Sequence, residues 1–413
     1  MSKQYTNKNV YDATIERIDY ILDNFPAYYV SFSGGKDSGV LVQLVIKRAR
    51  LKNKLPVPVM FFDWETCYKE TINFVEKIMI NNKEVEPYWI CLPEIEDNAS
   101  SLYERYWKCW DDNKKSDWVR EMPKHECVIN KDNLPEEWKL WYKDSSYKLW
   151  IVKRFGDWLA NKKNVNKISC MLGLRTDESY GRHMLISAQK NRDKLNHWCY
   201  RTKDSGDKTW ITLPIYDWEV KDIWLCNYKN NFHYNRTYDK FYLLGKSYLD
   251  MRICNAFGES QKRDLNQWHE VEPETWFKLL KRVEGINFGA MYNKTNLSRL
   301  QIKKPNNIKW SEYTRLLFNS LPQSVRKNYE YRFKIIFNWF NNYSVKKLGI
   351  QKYMFESRKS AVKYAKDNKI SVCYVGSWED LCGFILKRDY MCKKYGFKDS
   401  KINDKMIEET YGG

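Results

Sequence analysis

Apolar residues along this chain follow two rhythms that alternate through its first half. Short β-branched and aromatic runs, bounded by polar or turn residues, fall at 28–32 (YYVSF), 57–63 (VPVMFFD), 87–92 (PYWICL), 167–174 (KISCMLGL) and 209–215 (TWITLPI). Runs this short and this uniformly apolar predict strands buried on both faces of a sheet. Between them the apolar spacing lengthens to three or four residues. It does so in SGVLVQLVIKRAR after the first run, in YKETINFVEKIMI after the second and in YKLWIVKRFGDWLANKK before the fourth. That spacing predicts amphipathic helices, and strands alternating with helices predict an α/β fold with a doubly wound, mostly parallel five-stranded sheet. The stretch from about 94 to 145, dense in Trp and charge, breaks the rhythm and reads as an insertion over one sheet edge.

From about residue 235 the strand pattern fades. PETWFKLLKRVEG, WSEYTRLLFNSLP, SVRKNYEYRFKIIFNWFNNY and SWEDLCGFILKRDYMCKKYGF all carry helical spacing, the second opened by Ser311 as N-cap and closed before Pro322. The expected division is an α/β domain over 1–234, a helical extension over 235–300 and a mainly helical, basic C-terminal domain over 301–413, with the polar segment 293–307 as linker.

Composition narrows the class. With 413 residues, 43% hydrophobic and 16% aromatic, the chain can bury a large core and is far from a disordered composition. It has no run near the roughly 20 apolar residues of a membrane span, and its polar start lacks a signal-peptide core. A cytoplasmic protein with no membrane partner is expected. Its 11 cysteines are scattered without a CxxC, so reduced thiols are expected, with neither zinc nor an iron-sulfur cluster. The net charge of +19 is concentrated at the end, where residues 301–413 hold 23 Lys+Arg against 11 Asp+Glu. That asymmetry predicts an acidic partner such as nucleic acid, although the whole chain's richness in Lys and Asn is an alternative cause.

The sharpest local signal follows the first strand. Between Phe32 and a helix starting near Ser38 lies a tight turn, Ser33 to Asp37, with glycines at 34 and 35. Consecutive glycines let backbone amides approach a ligand, and the helix points its positive end at the same spot, so the turn suits an anion. A Walker A loop is excluded, because the positions that would need its first glycine and its Ser/Thr are Val30 and Asp37. Lys36 can neutralise phosphate charge, Ser33 and Ser38 can donate hydrogen bonds, and Asp37 can hold Mg²⁺ directly or through water. In FFDWET, Asp63 and Glu65 end the second strand, beside this turn if the two strands are neighbours.

SGGKDS in this setting resembles the pyrophosphate-binding loop of the N-type ATP pyrophosphatases, within the adenine nucleotide alpha-hydrolase (PP-loop) superfamily. That resemblance implies that the turn grips the β- and γ-phosphates of ATP as leaving group while the α-phosphorus is attacked. GLRTDESYGR (173–182) resembles the GxR segment of the phosphoadenosine phosphosulfate (PAPS) reductase and sulfate adenylyltransferase branch. By that likeness Arg175 reaches the nucleotide's phosphate or sulfate end, joined by Asp177, by Arg182 and by Glu178 as a second magnesium candidate. LPIYDWEVKDIW (213–224) is similar to the P…DW…DIW segment of these proteins, with Trp218 and Trp224 read as packing residues. From YDKFYLLGKSYLDMRICNAFG to SWEDLCGFILKRDYMCKKYGF the chain resembles the phage and prophage PAPS-reductase-like proteins, also called immunoglobulin-binding regulator A-like. This implies a ParB-like protein partner and places Arg252 at the closure of the nucleotide pocket, within the 235–300 extension.

One part of the pattern is missing. PAPS reductases carry their nucleophilic thiol in a C-terminal ECGLH tail, whereas this chain ends KINDKMIEETYGG. Cys392 is read on a helix and Cys382 in the core. The expected function is therefore an ATP pyrophosphatase-type enzyme that takes Mg·ATP, PAPS or a related adenine nucleotide and cleaves or transfers at the α-phosphate. In that reading Lys36, Asp37 and Arg175 are catalytic, and Ser33, Gly34, Gly35, Ser38, Asp63, Glu65, Arg182 and Arg252 bind the nucleotide. The alternatives are a sulfonucleotide reductase using an internal cysteine such as Cys254, an RNA-modifying enzyme, and a non-catalytic nucleotide sensor acting through a ParB-like or nucleic-acid partner. An oligomer is compatible with all of them.

Overall fold

The structure, a computed structural model, describes residues 7–101, 103–144, 150–187, 193–201, 206–258, 265–286 and 304–395. It divides into two compact units, one of residues 1–94 with 109–254 and one of residues 95–108 with 255–413. The strands described up to residue 212 are, in chain order, β1 (Ala27–Phe32), β2 (Val57–Phe62), β3 (Val85–Ile90), β4 (Glu94–Asp97), β5 (Tyr106–Cys109), β6 (Val128–Ile129), β7 (Ile168–Leu172), β8 (Asp193–Asn196), β9 (Cys199–Arg201) and β10 (Thr209–Thr212).

The first unit is built on a sheet ordered β6-β3-β2-β1-β7-β10-β9-β8. All five strands read from the sequence are present and mutually parallel, in neighbouring register such as Val30 with Val59 and Ser31 with Leu172. Among the described residues the sheet has eight strands rather than five. The added ones are the two-residue β6, parallel to β3, and the antiparallel pair β9 and β8 beyond β10. Edge strands of two to four residues carry no long apolar run to reveal them. The helices α1 (Val10–Asn24), α2 (Lys36–Leu51) and α3 (Lys69–Met79) flank the sheet's first three strands in sequence. Wholly buried Val40, Leu41, Leu44 and Val45 on α2 recur at helical spacing, which explains why this apolar run is a helix although β1 before it is equally apolar.

Chain order in the sheet fixes where a ligand site belongs. From β1 the chain moves outward through β2 to β3, then returns to the other side of β1 as β7. The strand order therefore reverses between β1 and β7, and open α/β sheets bind ligands outside the carboxyl ends of strands at such a reversal. The turn at 33–36 follows β1, and the segment 173–179 follows β7.

In the second unit the helix Gln323–Trp339 packs against Trp378–Leu386: Val325, Tyr329, Ile336 and Phe340 share a core with Leu381, Phe384 and Ile385. The Tyr329 hydroxyl donates to the Phe384 carbonyl at 2.9 Å. Residues 95–108, read as insertion over the sheet, are part of this unit. The Arg105 guanidinium lies over the rings of Tyr106 and Tyr390, at 4.4 and 4.6 Å. Tyr390 and Arg388 donate to the carbonyls of Ser101 (2.7 Å) and Ser100 (2.9 Å). These units divide differently from the expected domains, since residues 235–254 lie with the α/β unit. Most of the linker read at 293–307 lies outside the described residues.

Two local readings are corrected. Ser311 is inside the helix Trp310–Ser320, whose N-cap is Lys309, and its hydroxyl donates to Glu356 at 2.7 Å instead. Cys392 is not helical: it is buried in irregular backbone at φ 47°. Cys382 is in the core as read. Among the described residues no helix is long and apolar enough to cross a membrane.

Candidate functional site

The turn after β1 is set by two backbone requirements. Gly34 sits at φ +71°, a conformation L side chains rarely adopt, and a Cβ there would lie 2.7 Å from Thr71 Cγ2. The helix begins at Lys36, two residues earlier than read, with Gly35 as an N-cap that has no capping side chain. Ser38 accepts from the Ser33 amide at 3.2 Å, and the two serine hydroxyls share a hydrogen bond at 3.0 Å. Turn and helix start are thereby closed into one ring.

Gly173 makes the opposite wall possible. A Cβ on it would stand 2.8 Å from both Cα and N of Ser38, so only glycine lets the end of β7 touch the first turn of α2. Backbone atoms cannot step aside as a side chain can. Gly173→Ala is expected to lower unfolding stability by about 1–3 kcal/mol, the usual range for overpacking, measured by denaturant titration; an unchanged midpoint would refute this close packing.

On this frame the predicted residues converge. Arg175, 2% exposed, donates through Nε to Asp37 Oδ1 and through Nη1 to Asp177. The other oxygen of Asp37 lies 3.2 Å from the Lys36 ammonium, which also donates to the Met251 carbonyl at 3.3 Å. Arg252 donates to the Glu178 carbonyl at 2.6 Å, and the Glu178 carboxylate pairs with Arg182. Lys36 is only 4% exposed. Burial pushes its ammonium below the ordinary lysine range, Asp37 opposes, and Arg175 and Arg252 add to the depression. Burial likewise lowers Arg182, with Asp37 opposing and Arg252 and Arg175 adding to the shift. Buried cations that depress one another are stabilised by an incoming anion.

Asp63 and Glu65 sit at the carboxyl end of β2, but their carboxylates serve the chain itself. Asp63, fully buried, accepts from Trp89 Nε1 at 2.8 Å, from Arg120 and from the Glu65 amide at 2.9 Å. Glu65, at φ 67°, accepts the amides of Trp110 at 2.7 Å and Val119 at 3.1 Å. Together they clamp the segment that returns to the sheet after β5. The donor set does not fit a protein-held magnesium ion either. Asp37 and Glu178, the expected ligands, are each occupied by cationic side chains. Among the described residues no group of three His, Cys, Asp or Glu side chains gathers around one point.

Sequence reasoning missed Asn235 and Tyr238. The buried Asn235 amide bridges the Gly34 carbonyl and Thr71 Oγ1, both at 2.8 Å. The Tyr238 hydroxyl accepts the Lys36 amide at 3.1 Å, and the Lys36 ammonium lies 5.5 Å from its ring centre. Burial holds the Tyr238 phenol protonated far above its ordinary value. In NRTY, Asn235 Oδ1 accepts from the Thr237 amide at 2.9 Å, a helix-start pattern that could have been read locally; its partner about 200 residues earlier could not.

A mostly parallel sheet that reverses its strand order at a two-glycine turn, with a buried lysine opening the following helix, defines a doubly wound α/β protein. Residues 27–245 match the phosphoadenosine phosphosulfate reductase domain, and residues 245–344 match a domain of unknown function, DUF3440. Uncharacterized protein YbdN of Escherichia coli (strain K12) is 31% identical over 398 residues, 95% of this chain and 91% of that protein. The chain belongs to the phosphoadenosine phosphosulfate reductase family. Among solved structures, the PAPS reductase of Candida auris in a phosphate complex is 14% identical, covering 62% of this chain and 98% of its own at a TM-score of 0.31. The FMN adenylyltransferase of Candida glabrata is 15% identical over 57% of this chain and 62% of its own, also at 0.31.

Proposed function

We propose that the protein binds Mg·ATP or a close adenine nucleotide with its β- and γ-phosphates on Ser33–Ser38, and cleaves or transfers at the α-phosphate. The carrying observation is Lys36: a buried ammonium at the opening of α2, held in place by Asp37 together with Arg175. An oxygen nucleophile of the acceptor, or water, attacks the α-phosphorus; the bond to the bridging oxygen of the β-phosphate breaks, and its electron pair leaves with pyrophosphate. Lys36 and the helix-start amides meet that growing negative charge, and Arg175 meets the charge on the α-phosphate. Tyr238 keeps a proton to donate to a phosphate oxygen. Magnesium is part of the substrate here, arriving on the nucleotide's own phosphates. No nucleophilic side chain is required for this step.

ATP labelled at either the α- or the γ-phosphate tests this, with Mg²⁺ and with or without a ParB-like protein. AMP and pyrophosphate are expected; ADP and phosphate as the persistent products would exclude the reading. A second reading keeps the reductase, favoured by Cys254, a half-buried thiol within electrostatic reach of Arg182 and Tyr238. It requires thiol-dependent sulfite release from PAPS that Cys254→Ser abolishes.

The pH dependence follows from Lys36. Its charged form is needed for the anion, so pyrophosphate affinity is expected to fall as pH rises through its depressed pKa, earlier than an ordinary lysine at 10.5 would allow. Stability moves the other way: between that pKa and 10.5 the unfolded chain holds the extra proton, so unfolding becomes harder as pH rises. Lys36→Arg, which stays charged, should flatten the affinity limb in a pyrophosphate titration run from neutral to alkaline pH.

A further inference from the structure

Tyr238 and Met251, whose hydroxyl and carbonyl both accept from Lys36, also line a second cleft of about 690 Å³ in the first unit. Its walls are aromatic, with Trp224, Tyr228, Tyr234, Tyr242 and Tyr248 around it. Trp224 stands edge-on to both Tyr234 and Tyr238 at 5.5 Å, a rigid inner corner. Tyr228 and Tyr242 also line it and are 84% and 71% exposed, an unusual state for large rings. The polar groups in the wall are equally unusual. Asn227, 5% exposed, has neither its amide nitrogen nor its amide oxygen in a hydrogen bond, and the buried Trp224 indole N–H is without a partner too. Buried polar atoms are almost always paired, so three unpaired ones beside one aromatic cleft mark missing hydrogen-bond partners.

We propose that this cleft is a nucleobase-binding subsite, separate from the phosphate turn and sharing only the Tyr238–Met251 wall with it. A carboxamide offers a donor and an acceptor side by side, the complement of an adenine-type edge that presents an amino group next to a ring nitrogen. The indole N–H supplies a further donor, and the open tyrosine faces stack the ring. The volume lies within the range of small-molecule clefts. Lys221 and Asp239 at the rim leave the cleft without a strong charge of its own, which suits a neutral base rather than a phosphate. The base can belong to a free nucleoside or to an unstacked position in a single strand; the recognising chemistry is the same. This assignment stands apart from the cleavage reaction.

Calorimetric titration of the full chain with adenosine, and separately with single-stranded oligoadenylate, tests it. Variants are Tyr228→Ala with Tyr242→Ala, Asn227→Leu, and Lys36→Met as the control for the phosphate turn. Binding that the aromatic pair weakens roughly tenfold or more, with pyrophosphate affinity unchanged, is expected, and Lys36→Met should show the reverse pattern. Adenosine alone sufficing identifies the free nucleoside as the source. Binding of oligoadenylate only, falling as salt rises, identifies the nucleic acid. Because both tyrosines are exposed, their double variant folds even where Asn227→Leu does not. Absence of binding by either probe, or binding that the tyrosine variant leaves untouched, overturns the proposal; buried water would then complete Asn227.

Discussion

Lys36→Met should abolish function without harming the fold. Loss of a preorganised charge that meets a leaving group in a closed site lowers turnover by roughly 10²- to 10³-fold, and Lys36 is the buried ammonium at the turn. The same burial makes it a burden to the folded state, as its depressed pKa shows: its charge is held where water cannot solvate it, and Arg175 and Arg252 repel it. Methionine keeps an unbranched chain of similar length without that charge, while Asp37 keeps its hydrogen bond from Arg175. The melting temperature of the variant should therefore equal or exceed that of the parent. A variant that cleaves ATP within a few-fold of the parent rate would remove Lys36 from the mechanism. A variant that melts much earlier would show that the lysine serves structure instead.

Asp63→Ala should do the reverse. Asp63 is wholly buried and its oxygens receive the Trp89 indole N–H, the Arg120 guanidinium and the Glu65 amide. Removing one partner of a buried pair leaves the other charge uncompensated, a loss of roughly 3–5 kcal/mol when both are sealed from water. Arg120 keeps 18% of its side chain exposed, so the lower end, about 3 kcal/mol, is the expected destabilisation in a urea titration. Asp63→Asn retains acceptor capacity for Trp89 and should lose less. Pyrophosphate affinity of the folded variant should stay near that of the parent, since the carboxylate faces the 109–120 segment. A selective loss of nucleotide binding with unchanged stability would return Asp63 to the nucleotide pocket where its position in the sequence first suggested it.

This contrast shows which kind of information the sequence held. The five central strands were legible because burial on both faces leaves short, mainly apolar runs, and α2 and α3 because their apolar residues recur at helical spacing. The two-glycine turn was legible because it is local: strand, two glycines, lysine and helix stand in consecutive positions. Arg175 came with it, since its segment follows the neighbouring strand β7. The direction in which a carboxylate points is not local. Asp63 and Glu65 end β2 beside the turn, but Trp89, Trp110, Val119 and Arg120 claim their oxygens, and these partners lie 26 to 57 residues away. Tyr238 and Asn235 were hidden for the same reason, as their partners sit some 200 residues earlier. The excursion at 95–108 reads as a decoration of the sheet because its sequence neighbours belong there, whereas its packing partners, Arg388 and Tyr390, come almost 300 residues later.

The diphosphate of a bound nucleotide is expected to lie against the amides of Ser33–Ser38 and the Lys36 ammonium. A crystal grown with an ATP analogue that cannot be cleaved between its α- and β-phosphates tests this directly. The expected map shows the β- and γ-phosphates within hydrogen-bonding distance of Lys36 Nζ, the Ser33 and Ser38 hydroxyls and the opening amides of α2, with the α-phosphate toward Arg175. Phosphates bound elsewhere while this corner keeps its ligand-free hydrogen bonds would contradict it.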